Sequence, residues 1–362
     1  MPSTAKTFYA YVGCRTTRER NARGDGINLY RVDAETGAWT HEQLVGDLLN
    51  PSFLCFDRRK RFLYTVHGDG TEVSAFRIDP ENGRLSFINR QSTEGRNPVH
   101  LAIDPTNRFM VIANHITSAL ALLPIDPEEG KVGAVRDLVT LAGEIGPHRV
   151  EQPFAKPHQV EFDAQGRFVV VPDKGLDRVF TFHIDAGAGR LVASEQGSVL
   201  ARESSGPRHV ALHPHAGFAY VVNELDSTVT TYCYDSGSGA LEPVQIVSSL
   251  PDTFTGNSRA AEIAISADGR FVYASNRGSD TIAVFTVDAG TGRLEPVQWL
   301  PSGGRTPRFF TFDPTERFLF VANEDDDTIQ RFRVDASSGR LIDDGLATRT
   351  GSPVCIVFHA AA

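Results

Sequence analysis

An arginine and a glutamate, Arg208 and Glu224, are the first pair in this chain that could do chemistry together. They lie in GPRHVALHPHAGFAYVVNELDSTVTTY, residues 206–232. Two apolar runs, Val210–Leu212 and Phe218–Val222, flank a turn with two His and a Pro, a pattern that reads as a β-hairpin. Arg208 and His209 precede the first run, and Asn223 and Glu224 follow the second. In an antiparallel hairpin the start of one strand lies beside the end of the next. Arg208 and Glu224 are therefore expected at one end of one sheet. A cation and a carboxylate held there are either a structural salt bridge or the charged part of a site, and the hairpin alone leaves both readings open.

The elements that would position this pair form a repeat. A Pro or small residue enters an apolar strand at Pro51, Pro98, Pro157, Pro207, Ala260, Pro307 and Pro353, at spacings of 47, 59, 50, 53, 47 and 46 residues. After the first six come a turn and a second strand: RFLYTVH, RFMVIANH, RFVVVPDK, GFAYVVNE, RFVYASNR and RFLFVANE. A third strand, a Gly-containing turn and a fourth strand complete the unit. Four antiparallel strands per period of this length predict an all-β, seven-bladed β-propeller occupying residues 1–362 as one domain. TFYAYVGC near the start lacks a first strand and SPVCIVFH at the end lacks a second. Joined in one blade, they would close the ring and remove its open edges.

In such a ring two sets of residues meet at one mouth of the central channel. The start of each innermost strand supplies Ser52, Val99, His158, Arg208, Ala261, Arg308 and Val354, with Phe53, His100, Gln159, His209, Glu262, Phe309 and Cys355 beside them. The end of each second strand supplies Cys14, His67, Asn114–His115, Asp173–Lys174, Asn223–Glu224, Asn276–Arg277 and Asn323–Glu324. Turn positions repeat almost unchanged, whereas these mouth positions differ from blade to blade, as an asymmetric site requires. The recurring Asn114, Asn223, Asn276 and Asn323 also fit side-chain caps of turns. Two long periods insert GEIGPHRVEQPFAKPHQV before His158 and PDTFTGNSRAAE before Arg259, and irregular loops on a regular scaffold tend to carry function.

Composition narrows the partners. With 45 acidic against 36 basic residues the net charge is −9, which argues against nucleic acid or an anionic membrane but leaves room for a local basic pocket. No 18-residue apolar run occurs, and the N-terminal segment goes straight into a strand pattern without a signal-peptide core, so a cytoplasmic location is expected. The four Cys, at 14, 55, 233 and 355, form no CxxC and read as small buried hydrophobes. Asp173, Glu224 and Glu262 lie near His158 in the repeat, but no metal-binding spacing and no strand-to-helix glycine loop is present, so neither metal nor cofactor is expected. The basic run Arg15, Arg18, Arg20 and Arg23 reads as a solvated loop, or as one overhanging the mouth to attract an anion.

YVGC with GDGINLYRVDAETG, GPRHVALHP with YVVNEL, RAAEIAISADGRFVYASNR, TPRFFTFDPTERFLFVAN and GSPVCIVF together resemble the seven-bladed lactonase family over nearly the whole chain. That family includes the propeller-type 6-phosphogluconolactonases of bacteria and the fungal 3-carboxy-cis,cis-muconate lactonizing enzyme. The resemblance implies an active site of His158, Arg208, Glu224 and Arg259. In lactone hydrolysis Glu224, with a somewhat raised pKa, would be the general base, the two Arg would hold the oxyanion or a substrate anion, and His158 would protonate the departing ring oxygen. Arg308, His100, His209, Arg277 and Asn223 are the further candidates for substrate binding, with His67 and Lys174 behind them. The expected partner is an anionic small-molecule lactone or carboxylate, and the chain would be a monomer or a weak homo-oligomer. Two other functions compete: a lactonizing cycloisomerase using the same quartet, and a non-catalytic propeller that binds a protein or small ligand.

Overall fold

The computed structural model describes residues 6–361. It contains seven sheets of four antiparallel strands arranged in a ring. The sheets, here called blades 1 to 6, occupy residues 51–92, 98–140, 161–200, 207–248, 259–301 and 307–349. Blade 7 is composite: the strand Pro353–Ala360 pairs antiparallel with Thr7–Cys14, which continues into Ile27–Asp33 and Trp39–Val45. Among the described residues no helix is long and apolar enough to cross a membrane.

The core is divided among the junctions. Seven apolar clusters are present, and each joins two successive blades rather than filling one. Both faces of the middle strands are therefore buried, which is why FLYTVH, FMVIAN and FLFVAN read as continuous apolar runs instead of alternating ones. Tight turns recur between the first and second strands. In blade 1 the Asp57 carboxylate accepts the backbone N–H groups of Arg61 at 2.6 Å and Phe62 at 2.8 Å, with Lys60 at φ 54° between them. This geometry is the physical content of the DxxxRF motif.

A second device repeats between blades. A side-chain amide on one fourth strand donates to and accepts from the backbone of a residue on the next blade's fourth strand, Gln43 with Leu85, Gln196 with Leu241, Gln245 with Leu294 and Gln298 with Leu341, and Asn89 does the same with Val132, in the segment before blade 2's fourth strand. The recurring Asn residues also bridge blades rather than simply capping turns. Asn114, Asn276 and Asn323 each donate to the carbonyl of Thr93, Ser249 or Ser302, in the segment arriving from the preceding blade.

Every innermost strand carries one extra residue where it enters the mouth. Pro207 faces Asn223 and His209 faces Val222, so Arg208 is squeezed out of the ladder as a β-bulge. The same slip isolates Ser52, Val99, Arg308 and Val354, and it falls within Ala260–Ile263 of blade 5. In blade 3 it is more severe. Pro157 bridges Asp173, and regular pairing resumes only at Glu161, so His158 stands outside the two-residue strand that the expected KPHQVEFD run becomes. Bulges re-aim side chains, and here they lift the mouth residues out of the pleat.

One expectation fails on burial. Cys14 and Cys355 are buried, but Cys55 is only half-buried and Cys233 is exposed, because the face of the strand Thr228–Asp235 on which it lies points to solvent next to Glu242. Removing one interblade amide should be costly. Gln245→Ala strands the N–H and C=O of buried Leu294 and should lower stability by about 1–3 kcal/mol in urea unfolding.

Candidate active site

The mouth opens onto a narrow cavity of about 20 Å³, lined on its polar side by Arg15, His158, Arg208, His209, Glu262 and Arg308. Phe53, Val99, Phe309 and Val354 form its apolar wall. That volume holds about one water molecule, so the cavity is a narrow polar cleft. Three guanidinium groups face it against one carboxyl, which makes it a local cationic well in an acidic protein.

Behind this lining sits one carboxylate. Glu224 Oε2 lies 3.3 Å from Arg208 Nε and 3.3 Å from Arg277 Nη2, while Oε1 accepts from Lys174 Nζ at 3.1 Å and lies 3.7 Å from Arg259 Nη1. The Arg208 contact is an ion pair without a linear hydrogen bond, and Arg208 uses Nη1 to donate to the Ala261 carbonyl. Burial pushes the Glu224 carboxyl up, but the charges of Arg277, Lys174 and Arg208 outweigh it and hold the group well below the ordinary carboxylate range. The sequence-based expectation of a raised pKa is reversed, because cations surround the group that burial alone would have neutralised.

His158 differs from expectation in the same way. Burial, then the charges of Arg208 and the neighbouring His209, hold its imidazole well below the usual value, so it is neutral at pH 7 and cannot serve as a resting imidazolium acid. It is one of four imidazoles in a row: ring centroids of His115 and His158 are 5.2 Å apart, His158 and His209 5.0 Å, His209 and His100 5.6 Å. His158 Nδ1 lies 3.1 Å from His209 Nε2, and His209 Nδ1 lies 2.9 Å from Glu262 Oε1. His100 packs against Phe53 behind His209, with centroids 3.8 Å apart and the rings tilted by 36°.

The structure thus brings His158, Arg208, His209 and Arg308 to the cavity and sets the other candidates around it. Arg277 stands behind Glu224 and donates to the Ala260 carbonyl at 3.0 Å. Arg259 lies at the rim, with 37% of its side chain exposed, and pairs with Glu151 at 2.7 Å. Asn223 lies outside the cavity lining: it is fully buried, and its amide donates to Thr228 and Thr230 Oγ1, each at 2.9 Å.

Three residues were missed or misjudged. Arg15 is not part of a solvated loop. It is 4% exposed and pairs with Glu324 at 2.9 Å, while its Nη1 has no hydrogen-bond partner and lies 3.7 Å from Asp69 Oδ2. The repeat register could have revealed it, since Cys14 takes the place of Asn223 and Asn276, so Arg15 takes that of Glu224 and Arg277. In blade 1 that place is Gly68, where a Cβ would meet Ser52 Oγ at 2.7 Å and Arg15 Nη1 at 3.7 Å. Glu262 was read as one residue of the entry ring and as an acid near His158 that fits no metal spacing, with no part in catalysis. Glu151, in the first long insertion, folds back to join Lys174 at 3.0 Å and Arg259, which no sequence pattern signalled. Among the described residues no group of three or more His, Cys, Asp or Glu converges as a metal site would.

A ring of seven four-stranded blades with a small cationic cavity at one mouth defines a seven-bladed β-propeller. The chain belongs to the seven-bladed β-propeller lactonase family, whose model matches residues 9–358. It is 34% identical over 314 residues to a 6-phosphogluconolactonase of Bacillus subtilis, covering 85% of this chain and 86% of that protein. A 6-phosphogluconolactonase of Formosa agariphila is 31% identical over 81% of this chain and 83% of its own. Among solved structures, a putative 6-phosphogluconolactonase of Bacteroides fragilis matches with a TM-score of 0.90 at 29% identity, covering 99% of this chain and 100% of that one. The periplasmic gluconolactonase PpgL of Pseudomonas aeruginosa matches equally, with a TM-score of 0.90 at 29% identity over 98% and 100% of the two chains.

Removal of the Glu224 charge tests its role as counterion. Glu224→Ala leaves Arg208 and Arg277 buried without their anion and should lower stability by about 3–5 kcal/mol. Because the folded carboxyl lies below its unfolded value of about 4.3, this contribution is complete above that pH and is lost as pH falls through the lower folded value. Urea unfolding should therefore show the gap between wild type and Glu224→Gln undiminished from about pH 5 to 7 and closing in stronger acid.

Proposed function

We propose that this protein hydrolyses a sugar-acid lactone bearing an anionic group, as the relatives named 6-phosphogluconolactonase do, and that the reaction takes place in the channel-mouth cavity. The observation that carries this is the convergence of Arg15, Arg208 and Arg308 around a neutral His158 in one small pocket. Lactone opening needs an activated water, a stabilised oxyanion and a proton for the departing ring oxygen. His158 has Nδ1 engaged by His209 and no hydrogen-bond partner at Nε2 among the described residues, so Nε2 is free to take a proton from water.

Arg208 is the oxyanion donor. Burial, followed by the neighbouring charges of Arg277 and Arg308, lowers its pKa to about 9, so it remains charged at neutral pH. Glu224 acts through it, as a positioning counterion rather than as the base. Arg15 and Arg308, on the opposite side of Glu324, hold the remote anionic group of the substrate. Arg259, with Glu151 and Lys174, forms the outer rim over which the substrate enters.

Acid release at fixed pH, corrected for spontaneous hydrolysis, tests this on 6-phosphogluconolactone and on the unphosphorylated lactone. Arg208→Met should lower kcat by about 100- to 1,000-fold, the range found for loss of one oxyanion donor. Arg15→Gln should raise KM for the phosphorylated substrate with much less effect on the neutral one. If no lactone is opened, but a conjugated dicarboxylate loses its ultraviolet absorbance, the cycloisomerase direction replaces this one.

A further inference from the structure

We propose that His209 and Glu262 form a buried proton relay behind His158, which lets His158 act first as base and then as acid without becoming an imidazolium. The proposal rests on the lactonase reading above and assigns two residues to its proton transfers. The geometry is a continuous chain: His158 Nδ1 to His209 Nε2 at 3.1 Å, then His209 Nδ1 to Glu262 Oε1 at 2.9 Å. All three side chains are buried, and each comes from a different blade or its entrance, so the bulged inner strands bring them together.

Each neutral imidazole has one donor and one acceptor nitrogen, so the chain has only two self-consistent states. With Glu262 ionised, His209 donates from Nδ1 and accepts at Nε2 from His158 Nδ1–H, which leaves a lone pair on His158 Nε2. With Glu262 protonated, every donor reverses, and His158 Nε2 carries a hydrogen. One proton on Glu262 therefore decides whether the cavity meets a base or an acid.

The reaction uses both states. As water attacks the lactone carbonyl, its O–H breaks and the proton joins His158 Nε2. His158 Nδ1–H passes to His209 Nε2, and His209 Nδ1–H passes to Glu262 Oε1. The negative charge leaves Glu262 and appears on the tetrahedral oxyanion beside Arg208. When the ring C–O bond breaks, the departing alkoxide takes the Nε2 proton and the chain runs back, leaving a free hydroxyl and a carboxylic acid. No step places a positive charge on His158, which burial and Arg208 would oppose.

Two further observations fit. Glu262 Oε2 is buried with no hydrogen-bond partner, whereas a purely structural carboxylate would have both oxygens satisfied. Burial, opposed by Arg208 and Arg308, raises the Glu262 carboxyl to about 8, within reach of a proton passed from a neutral imidazole. The other groups facing it are His209, Glu161 and Cys355. Glu161 is raised to about 7 and repels the Glu262 charge, and Cys355 is a buried neutral thiol.

Glu262→Gln tests the relay, because the amide can still accept from His209 Nδ1–H but cannot take up a proton. We expect kcat to fall by about 100-fold or more with KM little changed. In the wild type kcat/KM should rise with pH as Glu262 ionises near 8, and this rise should be absent in Glu262→Gln and retained in Glu262→Asp. Nitrogen-15 shifts of the wild-type histidines should show His158 and His209 neutral and exchanging tautomers together through the same pH range. Wild-type kcat and pH profile in a folded Glu262→Gln, or a protonated His158 imidazolium near neutral pH, would overturn the relay. Should Glu262→Gln not fold, the wild-type titration decides alone. A wild type inactive on every lactone removes the functional reading itself, whereas an active wild type with an indifferent Glu262→Gln removes only the relay.

Discussion

The mouth of this propeller depends on one buried anion. Glu224 is nearly inaccessible and stands among Arg208, Lys174, Arg277 and Arg259. Without it, the cationic side chains crowded at the channel would repel one another in a medium that screens them poorly. Glu324 does the same for Arg15 and Arg308 on the other side. Two carboxylates in the outer ring thus allow three guanidinium groups to line one cavity. A site prepared for an anion needs counter-anions that are close enough to stabilise the arginines and too deep to compete for the ligand.

This layering explains how the charge state of the pocket is set. The four-imidazole row stays neutral because burial disfavours protonation, and so do adjacent cations, Lys174 at His115 and Arg208 at the other three. The carboxyl groups diverge instead. Glu224, ringed by cations, is held down, while Glu262, which faces fewer of them and an imidazole, is pushed up. Two glutamates in adjacent blades therefore differ in protonation for reasons of local geometry, the pattern by which enzymes separate acid, base and electrostatic roles.

The architecture was legible because each blade repeats its signals. The DxxxRF turns, the Pro at each inner strand and the incomplete runs at both ends were enough to place seven sheets and their closure. The convergence of His158, Arg208, His209 and Arg308 also followed from register alone. The protonation of the site did not, since it depends on which charges surround each group in three dimensions. Glu224 looked like a base because only Arg208 was visible beside it; Lys174, Arg277 and Arg259 come from neighbouring blades. Arg15 was obscured by the basic loop that follows it, and Glu151 by an insertion with no counterpart in the other repeats. Asn223 matched its equivalents in sequence but turns inward to two threonines of its own blade.

The composite blade has a temporal consequence. Pro353–Ala360 must pair with Thr7–Cys14, and the same region delivers Arg15 and Val354 to the cavity wall. During synthesis the other six sheets can form as they emerge, because each is contiguous in the chain. The wheel stays open until its final strand arrives, and with it the pocket. Non-local pairing of this kind is slow to form, so the last junction to lock is also the one that completes the cavity wall with Arg15 and Val354.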